Sequence, residues 1–405
     1  LKADASHGHV LLLPRAWGRQ AHWATWIARI IHAQIAHDAV ATGMSDPRAI
    51  TRRRCGGRPE DALRSINNPG QGLVRIAVFH MNQVGDFIFS LPALAGMRAR
   101  FPGADITSIL RPHLIELAEL TPAVDRVIPY PLGLIGEVRL ARTLLNRSFD
   151  LVLAFPTAAP TALQALLTRA RVRVGFADAG LGFCLTDRAL VRGTASPWKL
   201  AQLAAVAGAE IPQPRYVGLL QLSPALRQRG QRLLAARGVE PDARVAAIAP
   251  GASRGREYKA WQVRGFAAVA QHLRHRWGAT VAVVGGVADV TTAMHIARSM
   301  STPCINLAGQ TTTGELAAIL ERADLLVGID SGPMHVAAAM RTPVVALFGP
   351  TDPRIVGPQG EGHEVVTAGL DCSPCPQPCA SRRCMSLISE DQVIAAADRI
   401  LGRTC

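Results

Sequence analysis

From Val74 onward the chain alternates short apolar runs with segments of helical periodicity, and this alternation narrows the folds open to it. The runs "VRIAVFH", "DITSIL" and "FDLVLAFP", separated by segments such as "FIFSLPALAGMRARF", lack the apolar/polar alternation of strands with one wet face. Strands alternating with helices predict a parallel sheet covered on both sides. A Pro-containing stretch, "GAEIPQPRYVGLLQLSP", interrupts the pattern near residues 208–224, and it resumes with "RVAAIAP", "TVAVVGG", "CINLAG", "DLLVGID" and "PVVALFGP". No residue-level repeat links the two halves, yet both predict one architecture, and two such lobes make a cleft. At 405 residues there is room for a core in each. The predicted organisation is an N-terminal extension and linker over 1–72, a first α/β domain over 73–215 and a second over 216–405.

The extension differs from the rest. Trp23, Trp26, Ile27, Ile30, Ile31 and Ile35 fall at helical spacing, a stripe suited to a membrane interface or to packing on the body of the protein. No stretch approaches the 18 or so apolar residues of a spanning helix, and "HVLLLPRAW" does not make a signal peptide, so a reducing cytoplasm is expected. A formal charge of +14 calls for anionic partners. Aromatic residues are only 5% of the chain and no zinc-finger or RNP-type motif is present, which argues against nucleic acid. A phosphate-bearing substrate, handled near an anionic membrane surface, fits better.

The chemistry-bearing residues gather where strands give way to helices. In "VGIDSGPMHVAAA" a buried run ends at Asp330, turns through Ser331 and Gly332, and restarts as a helix with His335 in its first turn. Pro333 suits the first helical position and makes Gly332 the expected N-cap, so free N–H groups face an anion at the strand's carboxyl end. Simple capping by Asp330 and Ser331 is the local alternative. "PGASRGREYKAWQ" offers Gly251, Ala252 and Ser253 for close approach and Lys259 as a point charge for a diphosphate. "VVGGVAD" adds Gly285 and Gly286 with Asp289, a carboxylate suited to ribose hydroxyls, and "LFGPTDP" adds Gly349 and Thr351. In the first lobe, "HMNQVGDFIFSLPAL" places Asp86 at a helix opening, as a cap or as a base for an acceptor hydroxyl.

Two other chemistries deserve weighing. "GASRG" matches the G-x-S-x-G nucleophile elbow, with Asp330 and His335 downstream, but the polar run "RGREYKA" separates Ser253 from the next helical periodicity. No G-x-G-x-x-G follows a strand and no G-x-x-x-x-G-K-[ST] occurs, which argues against a dinucleotide enzyme or a P-loop ATPase. A non-catalytic binder of sugar nucleotides or nucleic acid remains the third class.

Taken together, "VGD" with "SLPALAGMRARFPGADITSIL", then "APGAS", "KAW", "VVGGVAD" and "IDSGPMHVAAAMRTPVVALFGPTDP", resemble the bacterial heptosyltransferase family, glycosyltransferase family nine, over about residues 74–402. The resemblance implies a GT-B fold, two facing Rossmann-like doubly wound domains, with nucleotide sugar on the second lobe and acceptor on the first. It implies an enzyme needing neither metal nor cofactor, which moves a heptose from ADP-heptose to the lipopolysaccharide core with inversion. Its acceptor would be a lipid-linked oligosaccharide, and its place the cytoplasmic, inner face of the inner membrane, as a peripheral protein. By position, Asp86 would be the general base, Lys259 the diphosphate ligand and Asp289 the ribose ligand. Asp330, Ser331, Gly332 and His335 would hold sugar and phosphates. Three features depart from the family's pattern: His80 stands where Arg is frequent, "MNQV" replaces a small Ser-containing loop, and Gln262 stands where Pro is usual.

Near the end, "CSPCPQPCASRRC" brings Cys372, Cys375, Cys379 and Cys384 close in sequence. Tetrahedral zinc and free thiols are both open there. The stretch "SEDQVIAAADRIL" predicts a capped closing helix.

Overall fold

The computed structural model describes residues 73–403 other than 131, 254, 376–378 and 380; the Trp/Ile stripe expected in the extension lies outside the described residues. The first sheet contains β1 (Arg75–Phe79), β2 (Asp105–Leu110), β3 (Arg126–Pro129), β4 (Leu151–Ala154), β5 (Val172–Phe176) and β6 (Asp187–Ala189), in the order β3-β2-β1-β4-β5-β6. The second contains β7 (Val245–Ala249), β8 (Thr280–Val283), β9 (Ile305–Asn306), β10 (Leu325–Ile329), β11 (Val344–Phe348) and β12 (Glu364–Thr367), in the order β12-β11-β10-β7-β8-β9. All ten strand pairings among the described residues are parallel. Both sheets are wound alike: the chain starts in the middle, steps outward twice, then returns to the other side of its first strand. Ligands in such sheets lie where that reversal occurs, beyond the carboxyl ends of β1 and β4 and of β7 and β10.

The central strands are apolar because they are covered twice. β4, β7 and β10 are buried at every position. The lobes meet through the helices Val84–Arg100 and Gly332–Ala339, and the apolar core on the inner face of each sheet runs across that contact as one cluster. Each sheet has a further core on its outer face. The stretch after the helix Pro197–Val206 carries the chain from one lobe to the other, with Tyr216 fully buried on the way.

Helix boundaries shift slightly from the sequence expectation. The helix Val84–Arg100 has Gln83 as its N-cap, with no side-chain bond, so Asp86 lies inside the first turn and is not the cap. The helix Gly332–Ala339 is capped by Ser331, one residue before the expected Gly332, and Pro333 takes the second helical position. Ser389 and Gln392 form the reciprocal capping box of the closing helix Glu390–Gly402, which packs on the second lobe. Among the described residues, no helix is long and apolar enough to cross a membrane.

Candidate active site

Lys259 ends a short turn, Glu257–Lys259, after β7, while Asp330 directly follows β10. Because β10 pairs with β7, these residues, 71 apart in sequence, meet with Lys259 Nζ 2.5 Å from Asp330 Oδ2. Both are buried, at 5% and 9% exposure. Thr351, from the turn after β11, donates to the same Oδ2 at 2.7 Å, and His335 Nε2 lies 3.7 Å from Oδ1, an ion-pair distance. Burial pushes the Asp330 carboxyl up, but its polar contacts with His335 and Lys259 outweigh it and hold the group well below the usual carboxylate range. Asp330 is thus a fixed negative charge that orients the Lys259 ammonium, whose other protons are left for a ligand.

Ser331 separates this pair from the helix. Its hydroxyl is buried without a hydrogen-bond partner and makes no capping bond, although the residue occupies the N-cap position. A buried hydroxyl without a partner is costly, and this one borders the cleft at the positive end of the helix Gly332–Ala339. That combination suits an anionic oxygen.

The opposite wall belongs to the first lobe. The cleft, about 1000 Å³, is lined by Met81 to Asp86 on one side and by Ser253, Lys259, Gly286, Asp289, Asp330, Ser331, Gly332, His335 and Thr351 on the other. The lobes touch at His335: a Cβ on Gly85 would fall 2.9 Å from its Cδ2, so residue 85 must be glycine for this approach. Tyr216 Oη stands 3.4 Å from His335 Nδ1, and Phe89 meets the ring edge-on at 4.5 Å. Burial raises the Asp86 carboxyl above its ordinary pKa, partly offset by the positive charges of Arg256, His335 and Lys259. A carboxylate so raised is a better proton acceptor near neutral pH.

Asp289 accepts the Gly286 N–H at 2.8 Å and closes its own turn. A Cβ on Gly251 would lie 2.0 Å from Asp289 Oδ1, so what Gly251 admits to the end of β7 is this carboxylate. Gly349 is not among the residues lining the cleft; its backbone packs on Cys384 and Met385, where a Cβ would come within 2.5 Å of Met385 Sδ. A glycine after a strand signals close approach but does not say of what.

The matching of sequence and structure to known proteins agrees with this arrangement. The model of Glycosyltransferase family 9 (heptosyltransferase) matches residues 137–384, more than half of the chain. The chain belongs to glycosyltransferase family 9. Lipopolysaccharide heptosyltransferase 2 of Salmonella typhimurium is 27% identical over 312 residues, covering 72% of this chain and 88% of the relative. The crystal structure of the glycosyl transferase family 9 from Veillonella parvula superposes with a TM-score of 0.71 at 24% identity, over 82% of this chain and 97% of that one. E. coli ADP-heptose lps heptosyltransferase II gives 0.69 at 23% identity, over 82% and 99%. These two share the GT-B fold of two facing parallel sheets. Like the rest of its family, the chain is a glycosyltransferase.

The hydrolase alternative lacks its geometry. Ser253 is exposed in an irregular loop, and the next long helix, Val263–Trp277, starts ten residues later. Asp330 is engaged by Lys259 and Thr351, and His335 faces Tyr216 rather than a serine. Accordingly, Ser253→Ala should keep most of the transferase activity, and a fluorophosphonate probe should leave the protein unlabelled; labelling at Ser253 in a peptide map would reverse that conclusion. Among the described residues no three His, Cys, Asp or Glu side chains gather to hold a metal ion, and Cys372, Cys375, Cys379 and Cys384 are free thiols.

Sequence reasoning passed over residues in and behind the cleft. Arg256, the strongest positive influence on Asp86, sat unremarked inside the quoted "RGREYKA". Tyr216 lies in the inter-lobe stretch, and its partner His335 is 119 residues away, so no local pattern marks it. His80, the departure after β1, is buried between Ser90 and Ser108 at 3.1 Å from each hydroxyl, and burial pushes its pKa down to about 3. It is a neutral core residue outside the cleft.

Proposed function

We propose that this enzyme transfers a heptose from ADP-heptose to the core of a lipid-linked lipopolysaccharide acceptor, by a single inverting displacement at the cytoplasmic face of the inner membrane. The observation that carries the reading is the division of labour across the cleft. A raised-pKa carboxylate, Asp86, stands on one wall. Lys259 held by Asp330, the unpartnered Ser331 hydroxyl and the helix terminus at Gly332 stand on the other.

The chemistry follows from that division. The acceptor hydroxyl, a poor nucleophile at neutral pH, gives its proton to Asp86 as its oxygen attacks the anomeric carbon. The bond from that carbon to the diphosphate breaks on the opposite side, and charge grows on the departing oxygen. Lys259, Ser331 and the N–H groups of the first helical turn lie where that charge develops and stabilise it. Asp289 at the end of the neighbouring turn takes the ribose, with Gly286 beside it, while Thr351 and His335 keep Asp330 in place. Because the acceptor oxygen itself attacks from the face opposite the departing diphosphate, in one displacement, the configuration at the anomeric carbon inverts. Both the lipopolysaccharide heptosyltransferase 2 relative and the ADP-heptose enzyme of the same fold support heptose as the sugar.

The test is direct. Incubation with ADP-heptose and a heptose-deficient lipopolysaccharide should release ADP and add one heptose to the acceptor, read by mass spectrometry. Transfer of a different sugar from a panel of nucleotide donors, with ADP-heptose inert, would overturn the donor assignment.

A further inference from the structure

The first lobe exposes large apolar side chains along one edge. Leu132, Leu134, Ile135, Phe183, Leu190 and Trp198 are each more than half exposed. They are far apart in sequence but not in topology. Leu132 follows β3; Leu134 and Ile135 open the helix Leu134–Leu145; Phe183 lies in the turn Gly182–Cys184 after β5; Leu190 directly follows β6; Trp198 is in the first turn of the helix Pro197–Val206. In a parallel sheet every such segment emerges at the carboxyl edge, the edge where Met81 to Asp86 follow β1 into the cleft.

The rim is continuous. Gln164, on the helix Ala159–Leu167, donates to Glu137 of the helix Leu134–Leu145 at 2.9 Å, tying those two helices together. The start of the former lies against the turn carrying Phe183, where a Cβ on Gly180 would be 3.0 Å from that of Ala159. β5 then pairs with β6, which leads to Leu190. Between Leu190 and Trp198, Thr194 and Ala195 line the cleft itself. The apolar edge therefore reaches the mouth of the site on its Asp86 side.

We propose that this rim docks the first lobe on the surface of an anionic phospholipid bilayer and so presents the cleft to an acceptor still embedded in it. The inference rests on the reading of the acceptor as lipid-linked. Apolar tips from separate loops, rather than one groove, suit shallow insertion among headgroups, and Trp198 is the side chain type that settles at that depth. Arg188 and Arg192, both exposed, flank Leu190, against one exposed acid, Asp178, in the same segments. The chain's charge of +14 adds a long-range attraction of the same sign. Singly scattered apolar residues need no explanation, but a row along one functional edge does.

The experiment uses the full chain and sedimentation with vesicles of phosphatidylethanolamine and phosphatidylglycerol, compared with phosphatidylcholine alone. The triple variant Leu134→Ser, Ile135→Ser, Phe183→Ser replaces exposed side chains, so its melting temperature should match wild type. Its partition onto the anionic vesicles should fall about tenfold or more, in line with the loss of inserted apolar groups. ADP binding, measured by calorimetry, should be unchanged. Vesicle binding equal to wild type would overturn the proposal and move membrane contact elsewhere, residues 1–72 included. So would wild type that binds no anionic vesicle, or a triple variant whose only change is a shift from dimer to monomer. If the variant loses vesicle binding while wild type transfers no heptose, the docking face stands and the functional reading falls.

Discussion

Replacing Asp86 by Asn is expected to lower turnover by roughly 10² to 10⁴ with saturating substrates, the usual contribution of a positioned general base. Asn keeps the size of the side chain and cannot accept the proton. Donor binding, proposed for the other lobe, should be nearly unaffected. Stability should not suffer. Burial raises the Asp86 pKa, so the folded state holds the proton more tightly than the unfolded one, and keeping the group charged at neutral pH costs stability. Removing the charge removes that cost, so the Asn variant should be at least as stable as wild type at pH 7. The raised pKa also sets the pH profile. Activity requires the deprotonated base, so kcat/KM should fall with decreasing pH through a midpoint above the ordinary carboxylate value of about 3.9. This limb should vanish from the residual activity of the variant. A variant retaining more than about a tenth of wild-type turnover would place the base elsewhere.

Lys259→Ala is expected to affect both binding and stability. Loss of a hydrogen bond to a charged phosphate should weaken donor affinity by about 1.5 to 3 kcal/mol. From the sequence, Lys259 reads as a loop cation whose removal would barely alter stability. The structure reverses the second expectation. Lys259 is 5% exposed and paired with a carboxylate that is 9% exposed, and removing one partner of a buried pair typically costs about 3 to 5 kcal/mol. Thr351 and His335 remain on Asp330, so the low end of that range is expected. The sign with pH follows from the depressed Asp330 pKa. Its contribution is fully present above the unfolded value near 3.9 and is lost as pH falls toward the folded one. The gap between variant and wild type should therefore be widest near pH 7 and narrow in acid, as Asp330 protonates in both. Urea unfolding at pH 7 and at about pH 2, well below the unfolded value, reads this directly; equal stability at pH 7 would mean that the pair contributes nothing to the fold.

Most of the architecture was legible because its signals are local. A strand buried on both faces must be apolar along its length, as in "DLLVGI", and a helix must repeat its apolar positions, as in "VRGFAAVAQHLRHRW", which the helix Val263–Trp277 reproduces. The turn chemistry was local too. Gly, Ser and charged residues at the ends of β7, β8, β10 and β11 marked the functional edge before any contact was known.

What the sequence could not supply was pairing. The strands β11, β10, β7 and β8 are adjacent in that order, so turns separated by up to a hundred residues become neighbours, and only this adjacency brings Lys259 to Asp330. The same limit hid Tyr216 and Arg256, whose roles depend on the other lobe, and hid the packing of Gly349 on Cys384 and Met385. Residue types and spacing determined the fold class, the edge that carries the site and the chemistry available there, because propensity and periodicity act over a few residues. The tertiary structure alone decided which charges are buried together, which hydroxyl is left without a partner and which pKa values move, because desolvation and Coulomb energy depend on distances that only the packing of the two lobes sets.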